Sequence, residues 1–311
     1  MYPVLFKPIV KKMIWGSESW DITCRPNETG VIENGESPGE SFEKFIARDA
    51  EKILGTKIAN KKRFPLLIKI IDARDALSVQ VHPDDTYAKF KGESDSGKSE
   101  MWYILSPPDD GFLIIGLNHG VTKEQLAAAY KNGTVESCLN RLHVREGDIV
   151  NIPAGLVHAL TPGSVVAEVQ QNSDITYRLF DYNRLGADGQ PRALHVEDAL
   201  AVADFDGKIP REAVRGEIIN RGGAGDFTVS RVVSCEYFDA YKYEISGAVT
   251  EVSDVGAFSV FTCVHGGAVV ETPQMKVEVP ARRSVFIPAA LGEYTLRPTG
   301  ECAVLLKSTP R

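Results

Sequence analysis

Two polar side chains interrupt an apolar run at residues 78–83, which read SVQVHP. Side chains at alternate positions of a strand point to the same face, so Gln80 and His82 are expected to face the same way. Pro83 cannot extend the hydrogen-bond ladder and therefore ends the strand, which leaves His82 near its rim. An amide oxygen and an imidazole in this arrangement predict one side of a metal site.

Two later segments supply further ligands for such a site. Residues 98–105 (KSEMWYIL) begin a second strand on which Lys98 and Glu100 share a face, and His158 follows a third strand just after the sequence IPAG. Two imidazoles, one carboxylate and one amide oxygen suit zinc or another first-row divalent ion, with positions left for water or substrate. The sequence therefore predicts one metal ion per chain.

A weak internal repeat relates two parts of the chain. Residues 148–158 (DIVNIPAGLVH) return as residues 284–293 (SVFIPAALGE), and aligning the two IPA sequences places His158 opposite Glu293. Internal repeats of this kind indicate a repeated architecture. We therefore expect two β-barrels of one kind, of which the second lacks the histidine.

Strand patterns dominate the sequence and must supply the framework for these residues. Short runs rich in Val, Ile, Phe and Tyr recur between Gly, Pro and Asp clusters, which predicts an all-β protein with a few inserted helices, among them residues 122–130 and 195–205. We predict a catalytic metal-binding domain over residues 1–205, including an N-terminal segment and the helical insertions. A second domain is predicted over 226–311, and the Gly- and Pro-containing stretch 206–225 is interpreted as a linker.

Composition excludes several classes of protein. The 311 residues carry a formal net charge of -7, which disfavours binding to nucleic acid, and no apolar run is long enough to predict a membrane span. The N-terminus does not resemble a signal peptide. The five scattered cysteines form no C-x-x-C pair, so we interpret them as reduced thiols of a cytoplasmic protein.

Taken together, the motifs resemble those of the type I mannose-6-phosphate isomerases, particularly their short bacterial members. The resemblance covers most of the chain and implies a fold of two cupin-type (jelly-roll) β-barrels, the second degenerate. It also implies a metal-dependent interconversion of mannose 6-phosphate and fructose 6-phosphate through an enediolate. The segments that carry it are MIWGS at 13–17, GESFE at 39–43, VQVHPDD at 79–85, KSEMWY at 98–103, IPAGLVH at 152–158 and QQNSDITYR at 170–178.

The resemblance also implies roles for individual residues. Zinc in that family is held by residues that correspond here to Gln80, His82, Glu100 and His158. An arginine in the strand after the last ligand corresponds to Arg178. A family position proposed to assist proton transfer corresponds to Asp174, for which capping a turn is an equal alternative.

The residue types suggest which side chains bind the phosphate but do not identify the base. Lys98 and Arg178 suit a phosphate dianion, although a solvated loop lysine is the other interpretation of Lys98. The base that moves the carbon-bound proton is Asp174, His82 or a metal-bound water. Residues 96–100 read SGKSE where longer family members often read NHKPE, so a family histidine proposed to help open the sugar ring is missing.

Two other functions are compatible with these residues. Two histidines and a carboxylate also form the metal site of cupin non-haem iron oxygenases, and a cupin can bind a sugar phosphate without catalysing any reaction. Gln80 and the basic pair Lys98 and Arg178 argue against the oxygenase. The segment DYNR at 181–184, with Arg192, resembles a stretch typical of the short bacterial members that either closes over the site or caps the following helix. The sequence leaves the oligomeric state open.

Overall fold

The chain is mostly β, with a few short helices, which confirms the predicted fold class at this level. The structure is a computed structural model that describes residues 1–60, 63–186, 189–223 and 225–311. The helices are α1 (Phe42–Arg48), α2 (Ala50–Leu54), α3 (Asp85–Lys91), α4 (Lys123–Asn132) and α5 (Val196–Val202), with a 3₁₀ turn at Val135–Cys138. None of the helices within the described ranges is long and apolar enough to cross a membrane.

The strands account for most of the regular structure. In chain order they are β1 (Val4–Lys7), β2 (Ile9–Met13), β3 (Gly16–Ile22), β4 (Cys24–Arg25), β5 (Glu28–Thr29), β6 (Val31–Ile32), β7 (Leu66–Ala73), β8 (Val79–Val81), β9 (Glu100–Ser106), β10 (Phe112–Leu117), β11 (Leu139–His143), β12 (Ile149–Ile152), β13 (His158–Ala159), β14 (Val165–Gln171) and β15 (Tyr177–Phe180). The remainder are β16 (Glu217–Arg221), β17 (Phe227–Ser234), β18 (Phe238–Ile245), β19 (Val249–Val252), β20 (Ser259–His265), β21 (Gly267–Glu271), β22 (Lys276–Pro280), β23 (Ser284–Ile287), β24 (Glu293–Pro298) and β25 (Ala303–Pro310).

The chain divides into two compact units whose boundaries differ from those predicted. The central unit comprises Lys11–Glu18 and Ile71–Ala213, and the flanking unit comprises Met1–Val10, Ser19–Ile70 and Val214–Arg311. Most of the N-terminal segment that we predicted to belong to the catalytic domain is therefore part of the flanking unit. The predicted linker at 206–225 contains strand β16, which pairs antiparallel with β17.

Two sets of strands in the central unit position the candidate site. One sheet has the order β11-β10-β13-β8-β15, and in the other set β9 pairs with both β12 and β14. Apolar side chains from both sets, among them Trp102, Ile104, Leu113, Ile115 and Val150, form one buried cluster. Because side chains at alternate positions of a strand face the same way, Glu100 shares a face of β9 with Trp102 and Ile104 and so points into the interior with this cluster.

The helices of the central unit begin and end where local chemistry requires. Helix α4 has a complete capping box, in which the Thr122 side chain accepts from the Gln125 backbone and the Gln125 side chain accepts from the Thr122 backbone. Gly133 ends it in the left-handed conformation, which costs glycine little. Helix α3 is capped by Asp84, whose side chain accepts from the Tyr87 backbone N–H, and it ends at Gly92.

The flanking unit contains its own two sheets and core. Their strand orders are β16-β17-β18-β25-β20-β23-β1-β6 and β19-β24-β21-β22. Side chains that include Tyr243, Phe261, Tyr294 and Leu305 fill one buried apolar cluster in this unit.

A buried carboxyl lies in the flanking unit. Asp21 is 3% exposed, its Oδ1 accepts from Ser19 Oγ at 3.1 Å, and its Oδ2 has no hydrogen-bond partner among the described residues. Burial raises the pKa of Asp21 from 3.8 to about 6, against the opposing charge of Arg283. An ionised Asp21 therefore lowers the stability of the folded state at neutral pH.

Replacing Asp21 by asparagine is expected to stabilise the protein at pH 7 by up to about 3 kcal/mol, because the uncharged side chain avoids the cost of ionisation in a buried site. This gain in stability should shrink as the pH falls from about 6 to about 4. In that range Asp21 of the folded parent is protonated whereas Asp21 of the unfolded chain is still ionised, so the folded parent no longer carries a buried charge. Thermal unfolding of both proteins across this range tests the prediction. Parallel curves at every pH would contradict it.

Candidate functional site

Three of the four predicted metal ligands meet in the interior of the central unit. The candidate ligand atoms of His82, Glu100 and His158 all lie within 4.8 Å of one another, and the three residues are buried. Strand β13 brings His158 opposite Gln80 of β8, while Glu100 begins strand β9 in the other set of strands. The prediction that these segments converge is confirmed for the two histidines and the glutamate.

The protonation state of His158 leaves one ring nitrogen available as a ligand. Its Nδ1 lies 2.8 Å from the carbonyl oxygen of Leu156 and must donate to it, so Nε2 carries the lone pair. Burial lowers the pKa of His158 to about 4, with a smaller contribution from the charge of Lys98. The imidazole is therefore neutral at pH 7, as a metal ligand must be.

A carboxylate oxygen of Glu100 faces the lone pair on His158 Nε2. Its Oε1 lies 3.4 Å from His158 Nε2 and has no hydrogen-bond partner among the residues the structure describes, and its Oε2 lies 3.6 Å from His82 Nε2. Two acceptor atoms facing each other in a buried site repel unless a cation lies between them. The donor set of two imidazoles and one carboxylate therefore fits a divalent metal ion.

Gln80, the fourth predicted ligand, lies beside the cluster. Its Nε2 is 3.3 Å from His158 Nε2, and its Oε1 accepts from Ser78 Oγ at 3.4 Å. Rotating the carboxamide by half a turn exchanges these two atoms and presents the oxygen to the cluster. Gln80 is thus within reach of the metal site, and its role as a ligand remains a prediction.

Lys98, which was predicted from the sequence to bind phosphate, lies inside the buried cluster. The side chain is 5% exposed, and Nζ lies 2.5 Å from Glu100 Oε2 and 3.0 Å from His82 Nε2. Burial alone would lower the pKa of Lys98, but the charges of Glu100 and Glu168 outweigh it and hold that pKa above the ordinary value. Lys98 is therefore a buried ammonium beside the candidate metal site.

Glu168 lies beside the candidate site but was not predicted from the sequence. It lies on β14, is 2% exposed, and its Oε1 is 3.6 Å from Lys98 Nζ. The signal was a single carboxylate within the apolar run VVAEVQQ. A buried strand does not tolerate an unpaired charge, so this residue requires a cationic partner.

Arg178 connects the cluster to a second group of charges. It lies opposite Gln80 in the sheet, and its Nε donates to Ser78 Oγ at 3.3 Å while Nη1 donates to the Ala193 carbonyl at 2.7 Å. Burial, followed by the charge of Arg192, lowers the pKa of Arg178. The guanidinium is half-buried and belongs to a positively charged neighbourhood.

Arg184 and Arg192 extend this neighbourhood. Both contact the buried carboxylate of Asp181, Arg184 at 2.8 Å through Nη2 and Arg192 at 2.7 Å through Nε. The two arginines line a cavity of about 290 Å³ together with Lys131. The lining of this cavity thus carries three cations and one carboxylate, a net positive charge that suits an anionic group. Among the arginines of this neighbourhood, only Arg178 was predicted from the sequence to bind phosphate.

Asp174 lies apart from the cluster, in the loop between β14 and β15. The residue is exposed, and its backbone N–H donates to Asp95 Oδ2 at 3.0 Å. Its charge contributes to the raised pKa of Lys98. The structure therefore places Asp174 within electrostatic range of Lys98 but outside the group of buried ligands.

Comparison with known proteins assigns this site to a family. Residues 6–104 match the family "Phosphomannose isomerase type I, catalytic domain" and residues 228–307 match "Mannose-6-phosphate isomerase, cupin domain". The chain is 32% identical to "Mannose-6-phosphate isomerase ManA" of Bacillus subtilis (strain 168), over 97% of this chain and 98% of that protein. A "Mannose-6-phosphate isomerase" of Streptococcus mutans is 34% identical over 79% of this chain and 80% of its own length.

A solved structure agrees with these matches. The crystal structure of the mannose 6-phosphate isomerase from Bacillus subtilis superposes with a TM-score of 0.88 at 28% identity, covering 99% of both chains. The similarity therefore extends over both units and includes the segments that carry the buried ligands. The chain belongs to the mannose-6-phosphate isomerase family.

Proposed function

We propose that this protein interconverts mannose 6-phosphate and fructose 6-phosphate as a metal-dependent aldose–ketose isomerase. The observation that carries the proposal is the buried donor set of His82, Glu100 and His158 with the ammonium of Lys98 in contact. An isomerase of this kind needs an electrophile at the C1 and C2 oxygens, a base for the carbon-bound proton and an anchor for the phosphate. The central unit offers a candidate for each.

One zinc ion per chain is the metal we assign, held by His82, Glu100, His158 and the oxygen of Gln80. Imidazole, carboxylate and amide donors suit zinc, and a bound zinc would polarise the substrate carbonyl and stabilise negative charge on its oxygens. The neutral state of His158 supports this assignment, since its Nε2 lone pair is available at physiological pH.

Lys98 and Asp174 are the residues we assign to proton handling. Because the charges of Glu100 and Glu168 raise its pKa, Lys98 holds its proton on Nζ and acts on a substrate oxygen as a charged hydrogen-bond donor rather than as a base. Asp174 is the carboxylate proposed to move the proton between C1 and C2. Glu168, with Oε1 3.6 Å from Lys98 Nζ, is a second carboxylate beside the ammonium and supports its charged state.

Arg178, Arg184 and Arg192 are proposed to bind the substrate phosphate. A chain of contacts leads from Arg178 through Ser78 and Gln80 to His158, with distances of 3.3, 3.4 and 3.3 Å. This chain supports a short separation between the phosphate anchor and the ligand cluster, as one small substrate requires. Lys98, buried among carboxylates, is no longer assigned to the phosphate.

Two cupin-type barrels, the second degenerate, are the architecture we propose for the two units. In the central unit His158 lies opposite Gln80, and in the flanking unit Tyr294 lies opposite Glu251 in the matching strand pair. Tyr294 is buried whereas Glu293, which the sequence repeat aligned with His158, is exposed. The repeated pairing supports a common barrel plan in which the flanking unit has exchanged its histidine for a tyrosine.

Replacing Arg178 by lysine is expected to lower kcat/KM by at least about a hundredfold, because lysine keeps the charge but loses the planar fork that binds phosphate and the bond to Ser78. Metal content and thermal stability should remain near those of the parent. The matched control is Arg231→Lys at an exposed arginine paired with Glu217, which should be silent. Parent-like efficiency in Arg178→Lys would mean that the phosphate is bound elsewhere.

A coupled assay for fructose 6-phosphate formed from mannose 6-phosphate tests the proposed function directly. Activity should disappear on chelation and return on adding a stoichiometric divalent metal. Oxygen uptake by the iron-loaded protein without isomerisation would favour an oxygenase instead. Binding of the sugar phosphate with no turnover in the metal-loaded protein would favour a binding protein.

A further inference from the structure

Lys98 and Glu100 depend for their positions on a segment without regular secondary structure. Residues 96–99 follow a turn and lead into β9, which begins only at Glu100. The Lys98 backbone N–H donates to the Pro83 carbonyl at 3.0 Å. The peptide groups on either side of Lys98 need their own partners to hold the side chain in one place.

Both of these partners come from one pair of side chains. Asp85 Oδ1 accepts from the Gly97 backbone N–H at 2.8 Å, and Gln171 Oε1 accepts from the Ser99 backbone N–H at 2.8 Å. Gln171 Nε2 donates to the same Asp85 oxygen at 3.1 Å, which joins the two acceptors into one unit. The Gln171 backbone N–H also donates to the Ser99 carbonyl at 3.0 Å.

The surroundings show that this segment has little room to move. Gln171 is 5% exposed, and Ser99 is buried as well. A Cβ on Gly97 would lie 2.4 Å from the carbonyl carbon of Asp84, so the segment is pressed against the start of helix α3. The orientation of Lys98 is thus set by hydrogen bonds at Gly97 and Ser99 rather than by a strand ladder.

We propose that Gln171 and Asp85 form a positioning clamp that holds Lys98 and Glu100 in the geometry required for isomerisation. Among the described residues, the clamp's two side chains bond to the backbone of residues 97–99 and to each other rather than to the candidate ligand atoms. The proposal rests on the proposed function for its catalytic consequence. A displacement of about 1 Å in a reacting group can cost about a hundredfold in rate, so loss of the clamp should appear mainly in kcat.

The substitution Gln171→Glu tests the clamp with little change of shape. It keeps the acceptor for the Ser99 N–H but replaces the amide that bonds Asp85 with a second carboxylate, and the two carboxylates repel. We expect kcat to fall by about a hundredfold, while KM changes by no more than about threefold. Metal content should remain that of the parent.

The double variant Asp85→Asn, Gln171→Glu exchanges the two functional groups and so removes the repulsion between two carboxylates, with the introduced Nδ2 rather than a shared oxygen linking the two side chains. The carboxamide introduced at position 85 accepts from Gly97 and donates to the carboxylate introduced at position 171, which accepts from Ser99. Turnover should return to within about threefold of the parent, a coupling that a merely structural loss would not produce. A double variant no more active than Gln171→Glu would overturn the proposal.

A second measurement separates this proposal from the proposed function. Hydrogen exchange at the Gly97 and Ser99 amides should accelerate in Gln171→Glu and slow again in the double variant, whether or not the parent isomerises mannose 6-phosphate. The control Gln125→Glu makes the same change at an exposed capping-box residue and should alter neither exchange nor turnover. Unchanged exchange at Gly97 and Ser99 in Gln171→Glu would refute the clamp even in an active enzyme.

Discussion

His158→Asn should yield a folded protein that neither retains its metal nor turns over substrate at a useful rate. Asparagine can still donate to the Leu156 carbonyl as His158 Nδ1 does, but it offers nothing in place of Nε2. Losing the metal forfeits several kcal/mol of transition-state stabilisation, and each 1.36 kcal/mol is tenfold in rate. We therefore expect turnover to fall by at least about a thousandfold.

Elemental analysis of protein purified without metal-chelate chromatography measures the first effect, and the coupled isomerase assay measures the second. The matched control is His143→Asn. His143 is exposed, and its Nδ1 makes a similar contact of 3.1 Å to the Gly111 carbonyl oxygen. The control should keep both metal and activity. A fully metal-loaded, active His158→Asn protein would show that the metal is held elsewhere.

Local patterns in the sequence indicated which buried polar side chains would lie together in the central unit. The alternation of apolar and polar residues around Gln80 and His82 specifies which way the side chains face, because a strand has a period of two. The capping box of Thr122 and Gln125 likewise specified where α4 begins. Such features depend only on neighbours in the chain, and the structure bears them out.

Features that depend on pairing between distant strands could not be predicted in this way. Strand β1 pairs with β23, with Val4 opposite Phe286, which places the N-terminus in the flanking unit. The repeat aligns Glu293 with His158, and strand β24 pairs Glu293 with Val252 and Tyr294 with Glu251. A one-residue difference in register turns every side chain to the other face, so a sequence repeat alone does not specify which of these two residues corresponds to His158.

The burial of Lys98 could not be predicted for the same reason. Beside Glu93, Asp95 and Glu100 it has the composition of a solvated loop, and nothing local indicates that it is buried. Its buried charge is matched by Glu168, which lies 70 positions away in sequence and directly across from Trp102 on the neighbouring strand. Charge pairing between residues distant in sequence, inside the central unit, thus decides which contacts Lys98 can make.

Lys98→Met is expected to lower kcat by about a thousandfold while the protein keeps its metal. Methionine preserves most of the length and apolar stem of the side chain but removes the proton donor, and a positioned acid or base contributes about 10²–10⁴ in rate. The substitution also removes a positive charge 2.5 Å from Glu100 Oε2, so electrostatics should favour the divalent ion at least as much as in the parent.

Turnover at saturating mannose 6-phosphate and the metal content of the same preparation separate these effects. The matched control is Lys91→Met, at a surface lysine whose Nζ lies 2.7 Å from Asp198, and it should change neither quantity. Metal loss in Lys98→Met would mean that the ammonium serves to organise Glu100 and Glu168 rather than to act on substrate. Parent-like turnover in a metal-loaded Lys98→Met protein would move the proton donor to another group. A large loss of turnover with full metal content is the outcome that assigns the chemistry to the ammonium, because the ligand cluster is then intact and only the donor is gone.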